Sequence, residues 1–471
     1  MRHDNRPGQT LVPDADNETR ACGQTARGSH ALIIVVILLS SLLVTGDMAM
    51  LNAALPTIST SLNVSASSSI WVINAYNITV VGALLPFAAL SEVVGHKRIF
   101  LGGLGLFTVG ALLCGLVSSF EWLVVARAIL GLGAAAVVSV NIALIRLLLP
   151  MSMLGRGIGL NAMVVSIAFI ISPLFAALVI STAGWEFMFF SVVPLGLLAC
   201  ALAAYVLPTT EVSVRQPDLL SCLLCAMFIA PMILGLGNLT QGRPAAAGVC
   251  LVVALVFCIA LLRRQRGRPG PIFPTDLYRI PVFALSSLTS TLAFAAQGLA
   301  FVSLPFLFKD VLRFDPFLLG VLLTPWPLAV AMMALVTGRL PARLSPGMLG
   351  CVGMSLLACA LLLLSALVGG ATPWAIGATL FLCGLGFGLF QAPNMRALMS
   401  SGPRHRSGSA SGVVAVSRMF GQAIGTALVA ACFFVSAVSG PVYALVLAAG
   451  FAILAALSSV FRLRFADRSA H

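Results

Sequence analysis

Charge is the scarcest property of this sequence. Of its 471 residues only 9% are Asp, Glu, Lys or Arg, while 60% are hydrophobic and the mean hydropathy is +1.07. A water-soluble domain carries roughly a quarter charged residues and has no interior large enough to hide so much apolar side chain. Lipid, not water, has to be the solvent for most of this surface. Catalytic groups are scarce too. The histidines are His3, His30, His96, His405 and His471, all in tails or loops, and no Ser, Cys or carboxylate pair sits with a base at helical spacing. The expectation is therefore no enzyme, no cofactor and no metal. The 11 cysteines imply no disulfide framework, since Cys114, Cys200, Cys250, Cys258, Cys359, Cys383 and Cys432 lie inside apolar runs, where a thiol is a small packing residue. Cys222 and Cys225 form a Cys-x-x-Cys with no second ligand pair, which excludes the usual metal or redox reading.

What is abundant is runs of about 20 apolar residues, the length that crosses a hydrocarbon core. They fall at Ala31–Leu55, Ile70–Leu90, Ile99–Ser118, Trp122–Ile145, Ile158–Ile180 and Phe187–Val206 in a first half. Two more, Leu219–Leu236 and Ala245–Leu262, follow a polar loop. Beyond a basic linker come Val282–Leu307, Phe317–Val336, Met348–Val368, Pro373–Phe390, Ser411–Val435 and Val442–Phe461. The expected fold is thus an all-α integral membrane protein of 14 spans, two six-helix bundles with two inserted helices. Its parts are a disordered cytoplasmic tail (1–30), a first bundle (31–207), a linker with the inserted helices (208–268), a second bundle (269–462) and a short tail (463–471).

The net charge of +13 raises the question of a nucleic-acid partner, which the placement of the basic residues answers. With the N-terminus inside, only Arg243, Lys309 and Arg313 of the 27 Lys and Arg fall in outer loops, and Arg127 and Arg418 lie within spans; the rest are on the inner side. Cytoplasmic loops hold the Lys and Arg of membrane proteins. The excess is a topology signal that puts both termini in the cytoplasm, and no nucleic acid is expected.

The halves echo each other. Gly131-Leu132-Gly133 is followed eight residues on by Asn141, and Gly384-Leu385-Gly386 by Asn394 at the same interval. A basic turn follows the second span of each half, Gly95-His-Lys-Arg98 and Gly338-Arg-Leu-Pro-Ala-Arg343. Internal repeats of this kind build many transporters.

Asp47 is the one carboxylate well inside a span. An ionised carboxylate there costs at least about 2.5–3.5 kcal/mol, so it needs a partner, water or a proton, and its charge state follows its surroundings. That is the property a proton-coupled pump requires; a neutral acid bonded to a neighbouring helix is the alternative. Arg127 is the expected partner, because the two residues lie about 12 and 8 Å from the outer ends of their spans at 1.5 Å per residue. A purely structural ion pair also fits. Arg418, Gln391, Asn394 and Gln422 could form a polar cluster in the second half, either a binding surface or a helix-packing network. Asn52, Trp71, Asn74, Tyr76, Gln297 and Trp326 are candidates to line a substrate site, with Trp71 equally suited to interfacial anchoring. Pro173, Pro305, Pro325 and Pro327 mark bends near a cavity.

These residues together resemble the major facilitator superfamily, and within it the fourteen-helix drug:proton antiporters, over Ala31 to about Phe461. The first-span signature of that family is matched by Gly46-Asp47-Met-Ala-Met-Leu-Asn52-Ala-Ala54-Leu55-Pro56, its fourth-span Arg and Gly-x-Gly by Arg127, Gly131 and Gly133, and its thirteenth-span pattern by Arg418, Gly421 and Gln422. Pro274-Thr-Asp276-Leu-Tyr-Arg279 is similar to its linker before the ninth span. The gating motif after the second span is reduced to Glu92, Gly95, Lys97 and Arg98, and the fifth-span Gly-Pro-x-x-Gly-Gly reads Ser172-Pro173-Leu-Phe-Ala176-Ala177.

The resemblance implies proton-coupled export of amphiphilic or cationic small molecules by alternating access, with Asp47 and Arg127 as the proton-linked pair and Glu92, Gly95, Lys97, Arg98 and Pro173 in gating. An exporter or importer of one metabolite or siderophore-like compound is the alternative, and a non-transporting receptor belongs to a different class. The expected partners are a small-molecule substrate, protons and the lipid bilayer of a bacterial inner membrane, with a periplasmic adaptor protein as a further candidate. The protein is expected to be monomeric.

Overall fold

A computed structural model describes residues 15–148, 151–208, 219–240, 243–265, 277–339, 345–368, 370, 372–401 and 407–466, and among these there is no strand. Helix is the form in which a single lipid-exposed segment satisfies all its own backbone hydrogen bonds. The first half is α1 (Ala15–Ser61), the one-turn α2 (Ala66–Ser69), α3 (Trp71–Val94), α4 (His96–Leu116), α5 (Phe120–Leu148), α6 (Met151–Thr182) and α7 (Glu186–Val206). Two inserted helices follow, α8 (Leu219–Thr240) and α9 (Pro244–Gln265). The second half holds α10 (Pro281–Phe306), α11 (Pro316–Leu323), α12 (Pro325–Arg339), α13 (Pro346–Leu367), α14 (Pro373–Ser401), α15 (Ser407–Val435) and α16 (Gly440–Ala466).

Thirteen helices among the described residues are long and apolar enough to cross a membrane; the remaining expected span falls on α8, whose apolar stretch there is Leu223–Met232. Two expectations about continuity change. Of the expected tail 1–30, residues 1–14 lie outside the described residues, and the chain from Ala15 runs on helically into α1. The span Phe317–Val336 is divided at Thr324 into α11 and α12, because Pro325 supplies no N–H to the preceding turn while its fixed φ suits the first position of a new helix. Likewise Pro305 precedes a wide π turn, Leu307–Val311, at the end of α10.

The sequence echo is a packing echo. In each half the third and fourth helices pack closely (α4 on α5, α13 on α14), as do the second and fourth (α3 on α5, α12 on α14) and the first and fifth (α1 on α6, α10 on α15). Glycines make these approaches possible. A Cβ on Gly133 would lie within van der Waals overlap of the Phe107 nitrogen and 2.7 Å from the Gly103 carbonyl, and one on Gly386 would lie 2.6 Å from the Gly353 carbonyl. Asn141 and Asn394 each tie the fourth helix to the first: Asn141 donates to the Ser41 hydroxyl at 2.6 Å, and Asn394 to the Ser290 hydroxyl at 2.9 Å.

The halves meet with their second and fifth helices exchanged, α3 against α15 and α11–α12 against α6, as a pseudo-two-fold arrangement requires. The inserted α8 packs on α3 and α15 along one of these seams, burying Val81, Cys225, Ile229, Leu261, Ala423 and Ala427. Its neighbour α9 exposes Val249, Val252 and Val256, one helical face suited to lipid chains.

Candidate functional site

Between the halves lies a cavity with an empty volume of about 1050 Å³, part of it open to the surroundings. Four helices present it one face each, at the i, i+3, i+4 spacing of a helical stripe: α1 with Val44, Thr45, Met48 and Asn52, α3 with Ile73, Tyr76 and Asn77, α10 with Phe294, Gln297, Gly298 and Phe301, and α15 with Arg418, Met419, Gln422 and Thr426. Phe169, Trp326 and Gln391 complete the aromatic and amide lining. The wall is an apolar surface with a few convergent polar groups. Gln422 donates to the Gln297 side-chain oxygen at 3.3 Å, while the Trp326 indole nitrogen and the side-chain oxygens of Asn52 and Asn77 are buried without a hydrogen-bond partner among the described residues.

Directly behind this wall sits an ion pair. Arg127 on α5 donates through Nη1 to Asp47 on α1 at 2.7 Å, and both side chains are almost wholly buried. It is the one salt bridge among the described residues. Asp47 precedes its neighbour Met48 by a rotation of about 100° on the helix, so α1 turns Met48 to the cavity and Asp47 to α5. Arg127 also donates through Nε to the Val72 carbonyl at 3.4 Å, and its guanidinium lies 4.7 Å from the Tyr76 ring centre and 5.9 Å from that of Phe189. Tyr76 thus contacts the Arg127 guanidinium through its ring and is also one of the residues of the cavity wall. Gly46 packs its bare Cα against the Ser172 hydroxyl of α6, close to the carboxylate.

Of the residues expected to line a substrate site, Asn52, Tyr76, Gln297, Trp326, Gln391, Arg418 and Gln422 are on the wall of this cavity. Trp71, Asn74 and Asn394 are not on the wall. Trp71 and Asn74 fall off the stripe that Ile73, Tyr76 and Asn77 define, and Asn77 is the α3 amide that faces the cavity. The period of 3.6 counted from Tyr76 picks Asn77 over Asn74. Asn394 leaves the expected cluster with Gln391, Arg418 and Gln422. It bonds instead to the Ser286 carbonyl at 3.1 Å and accepts from Arg462 at 2.5 Å. Arg462, counted in the sequence as one more inner-side charge, is buried at 2% exposure and also donates to Ser286 Oγ and the Pro346 carbonyl. Its place in the last span, level with Asn394, was visible; its partner on another helix was not.

The gating residues divide. Gly95 joins α3 to α4 at φ +99°, a conformation that side-chain-bearing residues rarely take. Lys97 caps the end of α7, donating to the Ala204 carbonyl at 2.9 Å and to the Leu207 carbonyl, within its own half. Glu92 and Arg98 are exposed. Pro173 lies on the seam between halves, its carbonyl 3.0 Å from where a Cβ on Gly320 would stand, with Ala177 as close. Small side chains at Ala176 and Ala177 therefore suffice for the approach of α11. Of the linker Pro274–Arg279, residues 274–276 lie outside the described residues, and Leu277–Arg279 form a single 3-10 turn. There burial raises the Tyr278 phenol above its ordinary value, with its hydroxyl 3.1 Å from Ser287.

All hydrogen bonds between the halves among the described residues lie toward the end poor in Lys and Arg: Ser67 to the Ala430 carbonyl at 3.3 Å, Asn77 to Thr426 at 3.4 Å, and Lys309 to Thr57 and Thr60 at 3.2 and 3.3 Å. These bonds tie the two halves together at that end.

Comparison with known proteins agrees with this architecture. The chain is 41% identical to Uncharacterized transporter YebQ of Escherichia coli (strain K12) over 92% of its own length and 95% of the relative's. It is 30% identical to Multidrug resistance protein Stp of Mycobacterium tuberculosis over 81% of this chain and 72% of that one. The fold matches the crystal structure of the POT family transporter PepTSo with a TM-score of 0.68 at 15% identity, covering 92% of this chain and 97% of that one. The family model of the Major Facilitator Superfamily matches residues 37–426, and the chain belongs to that superfamily of membrane transporters.

Proposed function

We propose that this protein is a proton-coupled exporter of amphiphilic small molecules, working by alternating access in a bacterial inner membrane with both termini in the cytoplasm. The observation that carries the proposal is the buried Asp47–Arg127 pair set directly behind the cavity wall. Protonating Asp47 cancels the charge that compensates Arg127, and an uncompensated buried charge destabilises its surroundings by about 3–5 kcal/mol. The first and fourth helices of the half are then driven to a different packing. Because Tyr76 contacts the guanidinium and is also on the cavity wall, an occupied cavity and a protonated carboxylate act on the same side chain. With the halves tied together at the Lys- and Arg-poor end, the cavity in this state takes its substrate from the basic, cytoplasmic side. Each inward proton supplies about 2.3 kcal/mol per 100 mV. The breadth of substrate follows from an aromatic and amide lining without fixed shape, and the name of the Mycobacterium tuberculosis relative is in keeping with it.

The test uses the purified chain in vesicles with an imposed pH gradient and a fluorescent amphiphilic dye. Asp47→Asn is expected to lose gradient-driven dye movement at least tenfold while still binding dye, and Arg127→Lys to rescue poorly, since a point charge does not reproduce the guanidinium fork. Undiminished gradient-driven movement by Asp47→Asn overturns the coupling role.

A further inference from the structure

The cavity is not electrically neutral. Among its lining residues there is one charged side chain, Arg418, and no carboxylate. Asp47, the nearest acid by its place on α1, is already engaged by Arg127. Arg418 makes no ion pair or hydrogen bond with any described residue, and its Nε is buried without a partner. The side chain as a whole is half-buried on the cavity wall, and a guanidinium does not lose its proton in proteins, so its charge has to be met there by water or by a ligand. Holding one at membrane depth without a counter-charge costs at least about as much as the insertion penalty for any ionised residue, and such residues are kept where a ligand or pathway needs them.

From this placement we infer that the substrate carries a carboxylate, or an anionic group of similar shape, that is held by Arg418 while its apolar body lies against the aromatic wall. The fork of a guanidinium matches a carboxylate in a bidentate way. Further donors stand on the same wall: the Trp326 indole N–H, which has no partner, and the Gln391 and Gln422 amides. Phe294, Phe301 and Phe169 supply the apolar surface, with the Phe301 ring tilted against two neighbours, 5.1 Å from Trp326 and 5.9 Å from Phe169. The inference rests on the cavity being the transport site, and it narrows the expected amphiphilic or cationic substrates to amphiphilic anions. Asp47 is left to the proton, and Arg418 to the substrate.

The experiment measures binding of three probes on one scaffold to the purified protein in phosphatidylcholine nanodiscs: 1-pyrenebutyrate, its methyl ester and the corresponding primary amine. The wild-type protein is expected to bind the carboxylate about tenfold or more tightly than the ester, in line with one charge-assisted hydrogen-bonded contact, and the amine most weakly. Arg418→Gln should erase the preference by weakening carboxylate binding alone, leaving the ester as it was, and Arg418→Lys should restore part of it. Retained ester binding shows that the variant is folded. Equal binding of carboxylate and ester by the wild type, or a carboxylate preference that survives Arg418→Gln, overturns the anion site while the amphiphile cavity stands. Failure of all three probes to bind overturns the cavity reading and the inference with it. Repeating the assay with phosphatidylglycerol added separates two sources of the anion. Competition that depends on Arg418 puts a lipid headgroup on the same guanidinium, and its absence assigns the site to soluble carboxylates.

Discussion

Tyr76 and Trp326 occupy the same place in the two halves. The backbone carbonyl of each lies against the first glycine of the Gly-Leu-Gly run on the fourth helix of its half, Tyr76 at Gly131 and Trp326 at Gly384, and each is on the cavity wall. The equivalence ends with what stands behind the rings. Tyr76 is backed by Arg127 at 4.7 Å, whereas the Trp326 ring neighbours Phe301. On the proposed reading, one half senses a proton and the other presents an apolar surface.

Replacing the two rings therefore has different outcomes. Tyr76→Phe keeps the stacking on Arg127 and is expected to stay coupled. Tyr76→Leu removes a cation–π contact of about 1–2 kcal/mol in a desolvated site and should lower the ratio of substrate moved to protons moved. Trp326→Leu should weaken substrate binding and leave that ratio alone. Parallel measurement of dye and proton flux in vesicles checks both, and an unchanged ratio in Tyr76→Leu removes the link.

The glycine contacts can be tested without any substrate. Gly133→Ala and Gly386→Ala would each push a methyl group into the backbone of the facing third helix, where no side-chain movement gives relief. Each is expected to destabilise the bundle by about 1–3 kcal/mol or more. Gly102→Ala, whose added Cβ meets nothing within 4 Å, is the control on the exposed side of α4 and should be neutral or stabilising. Thermal melting of the detergent-solubilised variants reads the difference.

Lys309 spans the halves at the Lys- and Arg-poor end through two threonine hydroxyls. Lys309→Met removes bonds from a charged donor, worth about 1.5–3 kcal/mol at most and less at this partly exposed position. The population should shift toward opening of that end by about fivefold or more. Distances between spin labels at Ser61 and Ser436, in a background without native cysteines, should then lengthen or broaden; an unchanged distribution would show that α11 packing on α6 alone holds that end together.

A substrate carboxylate adds a charge to the cycle. Export of an anion with one proton entering moves two charges in the same electrical direction, against one for the neutral ester. The driving force from 100 mV is then about 4.6 rather than 2.3 kcal/mol. Transport of pyrenebutyrate should accordingly respond more steeply than that of its ester to a potential set by potassium and valinomycin.

The order of the spans and thirteen of the fourteen expected were legible because the length of an apolar run is a local property matched to bilayer thickness, and the halves could be aligned because Gly-Leu-Gly and Asn recur at one interval. Asp47 and Arg127 stood out for the same reason: a charge within such a run is rare, and two at similar depth invite pairing. Asn74, Asn77 and Arg462 went astray or unseen for a different reason. Asn74 and Asn77 are equally polar and adjacent in depth, and Arg462 reads as a terminal basic residue until α10 and α14 are placed beside it.

The sequence by itself determined that this chain is a bundle of membrane-spanning helices and that its first half carries one buried acid with a cation to match. Only the tertiary structure decided which face of each helix meets the cavity, that Asn394 serves Arg462, and that Arg418 stands on the cavity wall with no ion pair or hydrogen bond to any described residue. The physical reason is that helices apolar on every side carry little amphipathic signal to fix their rotation. Rotation is set by close packing at residues such as Gly133 and Gly386, and packing is a property of pairs of helices that no single segment encodes.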